Sequence, residues 1–379
     1  MLRIILYAFS ILYFFPQFFL INSYPFEVVQ LLTIFGCFFL GVLFAQYKIS
    51  SLSYVDYSNR FSVQPNVFYL IFSVYAFSKV GVIYDIVTHL LSGEFMSYAL
   101  NNAVQRYTNF EESSQQSILQ RFGTISFLMS GSLAASVKAS RRTVHMLLFL
   151  MILVESASLA RLGVLIVFVT YFVEFVIRHN VRLQELSFIR LAWMTIFLVA
   201  ILAAIFLFSA YGRVSDKDDG ILEILLMKLG VYTIAMYEAL VLWMQTSSDQ
   251  YGSTYGMGSF AGAFKVVGVE FDQGFYKPVD TTYGSTNIYT NIRGFLSDFG
   301  LVGSCVLMSI FGFIVSLYSK KSMSFYSYNT VRLIMTMLLF CLISPFNYFN
   351  TLFALVFSGV LIAGVKFPIV RKSRAHFKL

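Results

Sequence analysis

Long apolar runs broken by short polar stretches organise the chain. A helix needs about 20 apolar residues to cross a bilayer, and the runs near that length predict about ten spans. The first two cover roughly 2–21 and 28–47, and the third covers 67–87. Spans four to six cover 122–137, 144–160 and 162–177, the last two meeting tightly around Arg161. Span seven covers 191–211, and spans eight to ten cover 299–318, 333–349 and 351–365. The expected fold is therefore an all-α polytopic membrane protein, one integral membrane domain over 1–379. Two longer polar segments interrupt it: 88–121, and a large loop, 212–298, just before the last three spans. Inside that loop, 221–245 is apolar enough to resemble a span but carries Glu223, Lys228 and Glu238. It is expected to be a helix lying on, or dipping into, the membrane surface.

Composition agrees with the pattern. Hydrophobic residues make up 58% of the chain and charged residues 12%, about half the usual charged share of a soluble domain. The N-terminal run follows a single basic residue, Arg3, and shows no small-residue cleavage site, so it is expected to be a first span. The net charge of +8 is topological rather than a sign of nucleic acid. Lys138, Arg141 and Arg142 mark one short loop, Arg178, Arg182 and Arg190 a second, and Lys320, Lys321 and Arg332 a third. Lys366, Arg371, Lys372, Arg374 and Lys378 mark the tail. With ten spans, all of these fall on the cytoplasmic side together with both termini, and the two long segments fall outside. Cys37, Cys305 and Cys341 lie in apolar runs without disulfide or metal spacing.

The polar investment lies on the outer side. Tyr283, Asn287, Tyr289 and Asn291 combine flat apolar faces with amide donors and acceptors, a chemistry that suits sugars. Arg161, Arg213 and Arg293 each stand near the expected outer headgroup level. A guanidinium fork binds phosphate bidentately and keeps its charge there, although each arginine could also simply anchor a helix end. Arg106 and Arg121 are weaker candidates of the same kind. His89 is the one histidine expected outside, and Asp280 and Asp298 are the nearby carboxylates, so these three are the candidate catalytic bases. The plain reading of Asp298 is a cap or first-turn acid at the start of span eight. That of His89 is an interfacial histidine.

The stretch Thr281 to Ile314 resembles a known family. Asn287, Tyr289, Thr290, Asp298, Gly300 and Gly303 form an N-x-Y-T, short aromatic stretch, D-F-G-x-x-G pattern leading into a membrane helix. It is similar to the bacterial oligosaccharide repeat-unit (O-antigen) polymerases, as are the span count, the long loop after span seven and the arginine opening span six. The arginine-to-glycine motif of some members is absent, because Arg293 and Gly303 stand one residue too close for it. The resemblance implies a GT-C-like membrane fold and an inverting, metal-independent glycosyl transfer on the periplasmic face of the bacterial inner membrane. It implies that a growing glycan leaves undecaprenyl diphosphate and joins the next undecaprenyl-diphosphate-linked oligosaccharide, building O-antigen or capsular polysaccharide. The implied partners are that lipid-linked substrate, membrane lipid and a chain-length regulator protein, with no nucleic acid. The donor carries its own leaving group, and no P-loop or Rossmann glycine fingerprint occurs, so no nucleotide, metal or other cofactor is expected.

Two other activities fit the same layout. An O-antigen ligase would share the donor but usually carries a prominent histidine in the large outer loop, and 212–298 contains none. A lipid-linked oligosaccharide flippase would place charges inside its spans, where Lys79, Glu155 and Glu174 are the candidates, and would show related halves. A purely structural or receptor protein would not need several arginines at one depth.

Overall fold

A computed structural model describes residues 13–14, 16–48, 62–94, 97–98, 118–137, 141–157, 161–178, 230–247, 251–257, 259, 264, 268, 279–286, 292–320, 325–341 and 349–364. The described chain is almost all helix. In order it forms α1 (Pro25–Lys48), α2 (Pro65–Ser78), α3 (Val80–Leu91), α4 (Ile118–Ser136), α5 (Arg141–Ala157) and α6 (Arg161–Arg178). A π-helical turn (Val231–Ala235) then runs into α7 (Met236–Thr246). A small hairpin, β1 (Val279–Thr281) and β2 (Gly284–Thr286), precedes α8 (Ile292–Lys320), α9 (Phe325–Cys341) and α10 (Phe349–Gly364). Expected span seven, most of span one, and Arg213, Asn287, Tyr289 and Asn291 lie outside the described residues.

Two described helical segments, Pro25–Tyr47 and Ile292–Leu317, are long and apolar enough to cross a membrane. The outward faces suit lipid: Leu40, Leu43 and Phe44 on α1, and Val302, Val306 and Ile310 on α8, are exposed. Apolar residues exposed in such bands have no place in water, and the chain is membrane-associated.

The contacts divide the chain into two compact units. The first holds α1, the π-turn, α7, the hairpin, α8 and α9, and the second holds α2 to α6. In the first unit, α1 and α8 approach closely through small residues. A Cβ on Gly41 would fall on the carbonyl oxygen of Ser309, and one on Gly312 would fall on that of Phe38. The Ser309 hydroxyl donates to the Cys37 carbonyl at 3.0 Å. Helices without a hydrophobic driving force between them associate through such small-residue contacts.

In the second unit, α4 packs on α6 in the same way, with Gly131 against the Val167 carbonyl and Thr170. The third expected span, 67–87, is not one straight helix: α2 and α3 are bent by 72° at a one-residue break. Lys79 occupies the break, and its ammonium pairs with Glu155 of α5 at 2.8 Å. Glu174 of α6 accepts from Arg178 Nε at 2.8 Å and from the Ser136 hydroxyl at 3.0 Å. A buried charge is tolerated when paired in this way.

Two helix starts differ from expectation. Helix α9 is already formed at Phe325 rather than starting at 333, so its first turns take in the polar residues Tyr326 to Asn329, and 342–348 lie outside the described residues. Helix α8 starts at Ile292 rather than 299, which puts Asp298 in the second turn instead of at the cap. Of the stretch expected on the membrane surface, 221–229 lie outside the described residues; the rest is helical over 230–246, and most of Met236 to Met244 is buried.

Candidate functional site

The first unit gathers polar chemistry around the start of α8. Gly300 breaks that helix with φ 64° and ψ −173°, a conformation costly for any side chain. A helix end leaves its last carbonyls for outside donors. Here the loop Tyr251–Met257 supplies them: Gly252 N–H donates to the Leu296 carbonyl and Thr254 N–H to the Ser297 carbonyl, both at 3.1 Å. The Asp298 carboxylate completes the clasp. Its Oδ1 accepts from the Thr254 hydroxyl and its Oδ2 from the Ser259 N–H, each at 2.5 Å. Asp298 is buried, so these bonds replace its hydration.

The clasped loop places an aromatic pair under Arg293. Tyr251 stacks on Trp243 of α7 with ring centroids 5.7 Å apart. The Arg293 guanidinium lies 4.8 Å from the Trp243 ring centroid, a cation–π arrangement. Ile292, Phe295 and Leu296 are buried beside it and anchor the short helix. Arg293 itself is only half-buried. A guanidinium carries a planar fork of N–H donors whose geometry matches phosphate bidentately.

A second carboxylate holds the hairpin. Glu238 of α7 is buried, and both of its oxygens accept from the Thr282 N–H at 3.1 Å. Oε1 also accepts from the Thr282 hydroxyl at 2.7 Å. The hairpin pairs Asp280 with Ser285, and its turn presents Tyr283. The Tyr283 ring occupies the space where a Cβ on Gly230 would stand, so a larger residue at 230 would displace the ring. Asp280 is exposed on the hairpin.

Two tyrosines feel the negative charge nearby. Burial, then Glu238 and then Glu27 raise the pKa of Tyr24 above its ordinary value. Burial and then Glu27 push Tyr251 up to about 12.

Of the residues expected in a site, Asp280, Asp298, Arg293 and Tyr283 fall in this unit. His89 falls in the second, at the end of α3, stacked on Tyr98 at 4.5 Å with Nδ1 3.8 Å from Glu94. Arg161 opens α6 in the second unit, and Arg121, in the first turns of α4 there, is exposed. Glu27, Glu238, Trp243 and Thr254 were not among the expected site residues. Glu238 was visible as an acidic residue inside an apolar run, the pattern that marks a costly and hence purposeful charge. Trp243 carried no signal separable from the surrounding apolar helix. Among the described residues no group of three His, Cys, Asp or Glu side chains could hold a metal ion.

Comparison with family models, with curated proteins and with solved structures finds no match.

Proposed function

We propose that the protein is a polyprenyl-diphosphate-linked glycan polymerase of the bacterial inner membrane. It crosses the membrane about ten times, with both termini cytoplasmic, and joins undecaprenyl-diphosphate-linked oligosaccharide repeat units on the periplasmic face. The observation that carries this reading is Arg293. Its guanidinium is half-exposed over Trp243 at the head of a membrane-length helix, beside a loop clasped by a buried carboxylate. A lipid-linked diphosphate presents its charge at that depth, where a fixed guanidinium stabilises the leaving group without a metal. Arg161 and Arg213 are proposed to share that role. Tyr283, with Asn287, Tyr289 and Asn291, is proposed to bind the glycan. Asp298 and Glu238 set the position of the loop and the hairpin that carry these groups.

The test is glycan display in a strain lacking the gene, complemented with wild type or Arg293→Ala. Wild type is expected to restore a ladder of long chains, and Arg293→Ala only single-repeat caps. Long chains persisting in the uncomplemented strain would sink the polymerase reading, and loss of all surface glycan would point to a ligase or flippase.

A further inference from the structure

The proposed transfer needs a base for the acceptor hydroxyl, and the two buried carboxylates of this unit are already occupied. Asp298 accepts from Thr254 and Ser259, and Glu238 from Thr282. Asp280 stands exposed on the hairpin. The remaining described carboxylate of the unit is Glu27, in the first turn of α1. It is half-buried, and among the described residues no hydrogen-bond donor or cation holds it.

Its place follows from helix geometry. Helices α1 and α8 run parallel: Cys37 meets Ser309, and further along Phe44 meets Phe313. Glu27 precedes Cys37 by ten residues and Gly300 precedes Ser309 by nine, as the numbering shows. At ~1.5 Å per residue these are about 15 and 14 Å, so Glu27 stands level with the break in α8. Glu27 also continues the stripe of Leu31, Ile34, Phe38 and Gly41, which is the buried face of α1. At that level a Cβ on Gly252 would stand 3.8 Å from the Gly300 nitrogen, which brings Tyr251 and its loop to the same place. The charge that Tyr251 feels from Glu27 is a separate sign of that proximity.

We propose that Glu27 is a catalytic residue, the general base that receives the proton of the acceptor sugar hydroxyl beside Tyr251 and the Gly300 break. This rests on the polymerase reading. As the acceptor oxygen bonds to the donor's anomeric carbon, its proton passes to the Glu27 carboxylate. The anomeric carbon–oxygen bond to the diphosphate breaks, and its electron pair leaves with undecaprenyl diphosphate. Water then takes the proton and restores the carboxylate. The simpler role of a first-turn acid is to favour the helix dipole, which affects stability rather than turnover.

The test uses the purified full-length protein in lipid vesicles. The substrate is undecaprenyl-diphosphate-linked repeat unit extracted from a strain lacking the gene. Initial rates are compared for wild type, Glu27→Gln and Glu27→Asp, with the melting temperature of each. Glu27→Gln is expected to lower kcat by about 10²–10⁴-fold, with KM and melting temperature nearly unchanged and Glu27→Asp partly active. Glu27→Gln turning over within about threefold of wild type would overturn the assignment and leave the polymerase reading standing. Loss of rate in step with melting temperature in both variants would overturn it in favour of the dipole role. Wild type forming no polymer would remove both readings together.

Discussion

Asp298 and Thr254, 44 positions apart, are joined by a 2.5 Å hydrogen bond from the threonine hydroxyl to Oδ1 of the carboxylate. With the Ser259 N–H on Oδ2, it fixes the 251–259 loop to the head of α8. The carboxylate is buried and its acceptor oxygens face donors, so no neutral isostere serves as well. Asp298→Asn turns an N–H toward a donor on one side. It is expected to destabilise the protein by about 1–3 kcal/mol. Thr254→Val should cost less, because it removes one bond and leaves the other. Thermal unfolding of the two variants in detergent checks the order, and a Thr254→Val protein less stable than Asp298→Asn would refute it.

Gly300 supplies the second half of that arrangement. Its φ of 64° and ψ of −173° lie in a region that other residues occupy only under strain. Gly300→Ala is expected to cost about 1–3 kcal/mol and to favour a continuous helix. A continuous helix would reclaim the Leu296 and Ser297 carbonyls from Gly252 and Thr254. The loop should then become more accessible, read as faster labelling by a membrane-impermeant maleimide of a Ser259→Cys probe, a position buried while the loop is clasped. Unchanged labelling in the Gly300→Ala background would show that the break does not govern the loop.

The apolar runs made α1 and α10 legible, because a bilayer-length run has few alternatives to a helix. The bend at Lys79 was not, since a charge inside an apolar run marks cost but not geometry. The buried 230–246 helix was equally ambiguous, because a hydrophobic face reads the same against lipid as against protein. In the site, Arg293 and Asp298 stood out as charges at the mouth of a span. The partners that define what they do, Trp243 and Thr254, are remote in sequence, and Glu27 carries no local signal beyond that of a first-turn acid. Pairings across such separations have no local signature.

The Lys79–Glu155 pair at the bend between α2 and α3 joins a largely covered amine to a buried carboxylate in the second unit, 2.8 Å apart. Breaking a buried pair from one side leaves an uncompensated charge, at a cost of about 3–5 kcal/mol. Lys79→Met and Glu155→Gln are therefore each expected to lower the melting temperature strongly. The double variant should be milder than the sum of the two. A thermal double-mutant cycle measures this, and additive losses would mean that the two charges do not support each other.

The Tyr251 hydroxyl gives a pH signature. Burial and then the charge of Glu27 hold its folded pKa at about 12, above the ordinary value of 10.0. The unfolded chain releases that proton first as pH rises, so the contribution is whole below pH 10 and is lost between about 10 and 12. Between those values the wild-type melting temperature should fall more steeply than that of Tyr251→Phe. Parallel curves would show that Tyr251 is not buried beside a negative charge.

Arg293 separates charge from geometry. A lysine at this position keeps the positive charge but loses the planar fork and its stacking on Trp243, now 4.8 Å from the guanidinium carbon. If the residue serves only as a point charge at the membrane surface, Arg293→Lys should keep long-chain glycan while Arg293→Ala loses it. If it grips a diphosphate bidentately from a fixed platform, both variants should yield only short products. Trp243→Leu, which removes the platform but not the charge, should then shorten the chains as well. The expected result is the second pattern, read from glycan ladders at matched protein levels. Full-length chains from Arg293→Lys would reduce the residue to an anchor for the head of α8.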